Sequence, residues 1–187
     1  MTIRESLESF KPYNEQEEKD AELFKKSIND FNDILTRENE YCHVCSSAFI
    51  TNKERTKVLC AYHKIYDSWT WTGGHVDGDD NLEYVAEKEA YEETGIQNLK
   101  LLYKQPISVD TLPVPGHFKR GKFVPAHIHL SFAYLYEANE HEKIQIKEDE
   151  NRWVVWLTYK ELIKKSTEPY MINVYKKIIA KIKEFNL

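Results

Sequence analysis

Apolar positions along the chain fall into two rhythms, one helical and one of period two. Over residues 14–37, Phe24, Ile28, Phe31 and Leu35 recur at i, i+4, i+7 and i+11 among Glu, Lys and Asp, which predicts an amphipathic helix. From Tyr41 the rhythm shortens. Val44, Ser46, Ala48 and Ile50 alternate with Cys45, Ser47 and Phe49, the pattern of a strand buried on both faces. Residues 51–55 read as a turn and 57–63 as a second strand, so the two form a hairpin. Short strands are expected at 99–103 and 107–112, with a loop over 113–122. A longer strand at 126–137 sets His127, His129 and Ser131 on one side and Ile128, Leu130 and Phe132 on the other. Residues 139–152 are polar; 153–157 read as a strand and 158–162 as the start of a short helix. The chain ends in a helix over 168–185, with Pro169 in its first turn and Ile172, Tyr175, Ile179 and Ile182 on its apolar face.

One segment, 74–96, breaks these rules in an informative way. It opens as a loop rich in Gly and Asp and turns helical near Asn81, where Asp80 or Asn81 can cap the first turn. Gly95 stops the helix, as a residue free to take positive φ does. Leu82, Val85 and Ala86 share one face, and Glu89 and Glu93 return to within about 20° of Leu82 on the helical wheel. Glu92 lies on the flank of that face; Glu83, Tyr84, Glu87, Lys88, Tyr91 and Thr94 lie opposite. An ordinary surface helix keeps its acids on the polar side. Here three carboxylates repel one another at i, i+3 and i+4 and turn inward at a desolvation cost. A hard divalent cation relieves both penalties, and Mg²⁺ favours such oxygen donors. The competing reading is a solvated acidic helix end.

Gly74, five residues, Asp80, seven residues, then Lys88-Glu89-Ala90-Tyr91-Glu92-Glu93-Thr94-Gly95-Ile96 resembles the Nudix box, Gly-x5-Glu-x7-Arg-Glu-U-x-Glu-Glu-x-Gly-U with U apolar. Asp80 replaces the family's Glu and Lys88 its Arg. Both keep the charge, although a lysine lacks the rigid two-pronged contact of a guanidinium. Upstream, a Trp before Gly73-Gly74 is a family feature; Thr72 stands where Pro is common. Downstream, Trp156 to Leu162 resembles the family's Trp-x-x-x-x-Glu-Leu segment, which places Glu150 where several relatives carry a metal ligand or general base, with Glu148 and Asp149 as neighbours. The resemblance covers roughly residues 41–165. It implies an α/β fold, an α/β/α sandwich with a mixed sheet between helices, to which N-terminal (1–40) and C-terminal (166–187) helices are added. The N-terminal helix is read as a packing arm, a lid or a dimer contact.

What the resemblance implies chemically is Mg²⁺-dependent hydrolysis of a phosphoanhydride in a nucleoside diphosphate linked to another moiety, with Mn²⁺ as the alternative ion. Glu89, Glu92 and Glu93 are the expected metal ligands. Glu150 is the first candidate for the proton-accepting carboxylate, with Glu93 next; Lys88 holds the glutamates and Asp80 braces the loop. Gly73 and Gly74 allow close backbone approach to metal or phosphate. His75 is a donor to a phosphate oxygen or a hydrogen bond within the loop. Lys119, Arg120 and Lys122 form a concentrated basic patch that either meets the diphosphate or is solvated. His127 and His129, at i, i+2, are assigned a hydrogen-bonding or substrate role for want of a third metal ligand nearby. Trp69, Trp71, Phe118 and Phe123 are candidates for base stacking, and core packing accounts for each equally. A non-catalytic nucleotide sensor is the alternative; an isopentenyl diphosphate isomerase is disfavoured because its characteristic cysteine segment is missing.

Composition narrows the picture further. The chain has 187 residues, 41% of them hydrophobic and 13% aromatic, which suits a packed domain with terminal additions. A net charge of −5 argues against a general nucleic-acid partner. No apolar run is long enough to span a bilayer, and Met-Thr-Ile-Arg-Glu-Ser lacks a signal peptide's hydrophobic stretch, so the cytosol is the expected location. Three cysteines remain: Cys42 and Cys45 have the spacing of half a zinc site, with His43 and His63 as recruits. No second C-x-x-C completes it, and buried, reduced strand cysteines are the expectation.

Overall fold

The computed structural model describes residues 1–187 apart from Arg120, Glu148 and Glu150. Among the described residues the centre is a mixed sheet of eight strands. β1 (Cys42–Thr51) is buried at every residue, its mostly apolar and small side chains interrupted by the buried imidazole of His43. It turns through 52–56 into β2 (Lys57–His63), antiparallel to it, and β3 (Ser68–Thr70) pairs with β2. β4 (Thr72–His75) returns antiparallel along β1. The acidic helix α3 (Leu82–Thr94) follows, and with α1 (Ile3–Ser9) and α2 (Glu15–Asp30) it covers one face. Beyond it come β5 (Lys100–Leu101) and β6 (Ser108–Val114), both antiparallel to β9 (His127–Glu137), which itself runs parallel to β1. Between β6 and β9, β7 (His117–Lys119) and β8 (Lys122–Val124) form a separate ribbon. β10 (Asn151–Thr158) closes the far edge on β2 and leads into α4 (Tyr159–Lys165) and α5 (Pro169–Glu184).

Period-two alternation in the central strands produces the three layers. Val44, Ala48 and Ile50 of β1, with Leu130, Phe132, Tyr134 and Tyr136 of β9, face α1, α2 and α3. Phe49 of β1, with Ala133 and Leu135 of β9, faces α4 and α5. Each fully buried Leu, Ile or Phe contributes about 1.5–3 kcal/mol, so both cores matter to stability. The α/β/α arrangement expected from the sequence is the one observed, and no helix of the described residues is long and apolar enough to cross a membrane.

Several expectations are corrected. The helix predicted over 14–37 ends at Asp30. Asn and Asp after it bond local backbone and side chains instead: Asn39 donates to Asp33 at 2.9 Å, and the Thr36 hydroxyl donates to the Asp33 carbonyl at 3.1 Å. Residues 31–40 therefore fold back over the sheet, and Gly78 donates to the Leu35 carbonyl at 2.8 Å. The N-terminal helices are a packing arm, since Ile3, Leu7, Ala21 and Phe24 share the core that holds α3. Helix α1, with no long apolar rhythm of its own, was not expected; a Thr2–Glu5 capping box starts it. The loop predicted over 113–122 contains the end of β6 and most of the β7–β8 ribbon. Thr94 is buried rather than solvent-facing, because the chain near Gln145 lies over the helix end and donates to the Thr94 carbonyl at 2.7 Å.

Terminal helices α2 and α5 meet through buried charge. The Lys181 ammonium donates to both Glu17 carboxylate oxygens at 2.6 and 2.7 Å and to the Ile107 carbonyl at 2.6 Å. Lys177 bonds Asp110 at 2.5 Å and lies 3.0 Å from Glu17. Burial raises the Asp110 pKa and lowers that of Lys181, with the opposite charges working against both shifts. Removing one partner leaves charge buried without its full complement, a loss of about 3 kcal/mol or more. Lys181→Met is therefore expected to lower the denaturant midpoint by that equivalent with the slope unchanged, read by urea unfolding.

Candidate active site

Two glycines and a helix end create the site. A Cβ on Gly73 would sit 2.7 Å from the Ser47 Cα of β1, so only glycine lets β4 lie this close to β1. A Cβ on Gly74 would sit 2.7 Å from the Glu89 carboxyl carbon. The Glu89 carboxylate thus occupies the space that a side chain at 74 would fill. Asn81, not Asp80, caps α3, accepting from the Tyr84 amide. Ser46 of β1 donates to the Leu82 carbonyl at 2.6 Å and fixes the start of the helix. Gly95 takes φ 73° at its end, where its amide bonds the Tyr91 carbonyl at 2.8 Å.

The three box glutamates differ in environment. Glu93 is buried, 4% exposed, and its two oxygens accept from the Gly73 amide and the Asn151 side-chain amide, each at 2.9 Å. Glu92 is exposed and flanked by two ammonium groups, Lys88 at 3.8 Å and Lys147 at 3.5 Å. Glu89 is half-buried against Gly74. All three line a cleft of ≈ 410 Å³, within the size range of small-molecule sites. Gly73, Gly74, His75, Lys88 and Lys119 line the same cleft. Lys122 pairs with Lys119 across the ribbon but is exposed and does not line it. Arg120 and Glu150 lie outside the described residues. Asp80 accepts from the Ile3 amide at 2.8 Å, so it anchors the N-terminal helix as well as the loop that carries it.

Sequence reasoning missed Asn151, Lys147 and Arg37. Arg37 makes a two-pronged contact with Asp77, at 2.8 and 2.6 Å, and both line the cleft. The amphipathic pattern over 14–37 gives no sign of this contact. Asn151 was hidden by its place in a polar stretch next to three acids. Trp71 is buried edge-on against Tyr175, Trp69 packs against Tyr62 and Trp153, and Phe118 and Phe123 contact each other on the exposed ribbon. None of Trp69, Phe118 or Phe123 lines the cleft; Trp71 does, as do Tyr66 and Tyr170.

Beside the cleft, which His75 and His129 line, the structure removes the ground on which the histidines were denied a metal role. His127 and His129 do have further partners: His43 and His75 join them, with ligand nitrogens all within 4.8 Å of one another. The register explains the meeting. His43 of β1 is level with His129 of β9, and His75 of β4 is level with Cys45, two residues along the same face of β1. Burial first, and neighbouring imidazoles second, push the His75 pKa down to about 3 and that of His129 well below the usual range. His43 is lowered as well, again mainly by burial. Cys42, Cys45 and Cys60 are buried free thiols outside this group, and burial holds all three protonated.

Comparison with known proteins agrees with this geometry. The sequence model of the NUDIX domain matches residues 43–180. Among solved structures, an Ap4A hydrolase binary complex from C. elegans superposes with a TM-score of 0.58 at 20% identity, covering 76% of this chain and 98% of that one. A MutT protein from Methanosarcina mazei Go1 gives 0.55 at 16% identity, covering 78% and 98%. A NUDIX-family hydrolase from Clostridium perfringens gives 0.51 at 18% identity, covering 75% and 97%. No curated protein matches the chain at a significant level. By class the protein is a pyrophosphohydrolase, an enzyme that cleaves phosphoanhydrides. The chain belongs to the Nudix family.

The two glycines separate fold from site. Gly73→Ala forces backbone apart at β1 and is expected to destabilise the protein by about 1–3 kcal/mol. Gly74→Ala meets only the movable end of Glu89, so the melting temperature should hold while turnover falls by about 100-fold. Thermal melts run beside an activity assay on both variants check the contrast.

Proposed function

We propose that the protein hydrolyses a phosphoanhydride bond in a nucleoside diphosphate linked to another moiety, using Mg²⁺ or, in its place, Mn²⁺. The observation that carries this reading is the convergence of Glu89, Glu92 and Glu93 with Gly73, Gly74 and Lys119 on one cleft. The donor set fits a hard cation: three carboxylates from successive turns of one helix, one seated in the space left by Gly74 and another clamped by two amide donors. A cation held there supplies charge neutralisation at the phosphate oxygens and a more acidic water.

The chain's own groups supply the rest. The Gly73 amide and Asn151 hold the Glu93 carboxylate in one orientation, so its position does not depend on substrate. Lys88 and Lys147 hold Glu92 from either side, and either ammonium can also approach a phosphate oxygen entering the cleft. Lys119 meets negative charge on the substrate from the ribbon. Glu150, which lies outside the described residues, is the proposed proton acceptor on the family resemblance alone. Half-buried Tyr66 and exposed Tyr170 offer the cleft's aromatic surface to a base.

The test is a panel of nucleotides, including Ap4A, nucleoside triphosphates and nucleoside diphosphates joined to sugars, assayed with Mg²⁺ and with Mn²⁺ for release of nucleoside monophosphate or phosphate. Turnover of one class is expected, with a loss of more than about 1000-fold in a Glu92→Gln/Glu93→Gln variant that keeps its circular dichroism spectrum. Full activity in that variant would overturn the reading. Nucleotide binding without product in the wild type would favour a sensor.

A further inference from the structure

Residues outside the box assemble a second donor set of different chemistry. His43 and His127 each place Nδ1 against a backbone carbonyl, Asn39 O at 3.0 Å and Pro125 O at 2.8 Å. A carbonyl can only accept, so Nδ1 carries the proton in both rings and Nε2 is left with a lone pair. This is the arrangement that orients an imidazole for metal binding. The His43 side chain is buried, 5% exposed, and its Nε2 has no hydrogen-bond partner among the described residues. His129 Nε2 lies 3.2 Å from Nε2 of both His75 and His127. One N–H proton on His129 can serve only one of those directions. Four converging nitrogens therefore present more lone pairs than protons to fill them, and an unsatisfied buried nitrogen is costly.

We propose that His43, His75, His127 and His129 bind one d-block cation of the Zn²⁺ class, at a centre distinct from the carboxylates of α3. Four imidazoles without a carboxylate or thiolate suit Zn²⁺, Ni²⁺ or Cu²⁺ and are poor ligands for Mg²⁺. In a tetrahedral zinc site with nitrogen at about 2.0–2.1 Å, neighbouring donors stand roughly 3.3–3.4 Å apart. Two of the pairs here are at 3.2 Å and none exceeds 4.8 Å. The ligands come from β1, β4 and β9, so the ion pins three strands at one point. His75 directly follows Gly73 and Gly74, and the pin therefore fixes the backbone that receives Glu89 and Glu93. This centre stands independently of the hydrolase reading, because its ligands and its test do not involve turnover.

The full chain, stripped with chelator and held in excess Mg²⁺ to occupy the carboxylates, is titrated with Zn²⁺ by calorimetry and with Co²⁺ by visible absorption. One equivalent, intense tetrahedral Co²⁺ bands and a melting temperature that rises with Zn²⁺ concentration are expected. His75→Gln and His129→Gln, at half-buried positions, should weaken binding by more than about 100-fold, beyond what losing a ligand's own hydrogen-bond partner costs. Glu92→Gln/Glu93→Gln should bind as the wild type does. X-ray absorption on Zn²⁺-loaded wild type, which needs no variant, should show imidazole-only ligation. No stoichiometric binding in Mg²⁺, binding unchanged in the histidine variants, binding lost in the glutamate variant, or oxygen-rich ligation would each overturn the proposal.

Discussion

A buried carboxylate must find donors, and Glu93 finds them on two separate elements. Its oxygens take the Gly73 amide of β4 and the Asn151 amide of β10, while its backbone belongs to α3. Leaving that carboxylate unpaired costs more than most single contacts in the protein supply. The helix, the glycine strand and the edge strand are thereby held in one relative position. Glu89 can then nest against Gly74, and Glu92 can project into the cleft between Lys88 and Lys147. The geometry of the acidic cleft follows from this one satisfied charge.

Support for that arrangement comes from the terminal helices. Residues 1–40 do more than pad the domain: Asp80 receives the Ile3 amide, Gly78 donates to Leu35, and Arg37 grips Asp77 with two bonds. The polar loop before α3 would otherwise be free to wander, since its glycines and aspartates bury little apolar surface. At the opposite side, Glu17 of α2 and Lys177 and Lys181 of α5 lock the first and last long helices together over β6. Such a buried network adds less net stability than its distances suggest, because desolvation opposes it. It does fix which helix lies against which.

The cleft sorts its donors by chemistry. Carboxylate oxygens reach it from the helix, and imidazole nitrogens cluster on the strands beside it, where His75 and His129 line its wall and His75 follows directly after the glycine that shelters Glu89. Hard cations favour the carboxylate set and borderline cations the imidazole set, so the two proposed centres call for different ions.

Along the chain, the central strands, the acidic helix, its stop at Gly95 and the final helix were legible, because period, caps and breakers are local properties. So was the acidic face, since three glutamates within five residues must share a helix side whatever the tertiary context. The box spacing carried the family because its residues lie within one continuous segment. Tertiary structure alone decided the rest. His43, His75, His127 and His129 come from three strands whose parallel and antiparallel registers no local pattern reveals, so a pair at i, i+2 gained its other two members only when the sheet formed. Asn151 and Arg37 became parts of the site for the same reason: their partners are 58 and 40 residues away, and only packing brings them together. The helix over 14–37 was cut short because Asp33 and Asn39 found better partners in the folded loop than a further turn offered. Local sequence specifies elements and their chemical faces; the distances between faces belong to the closed sheet.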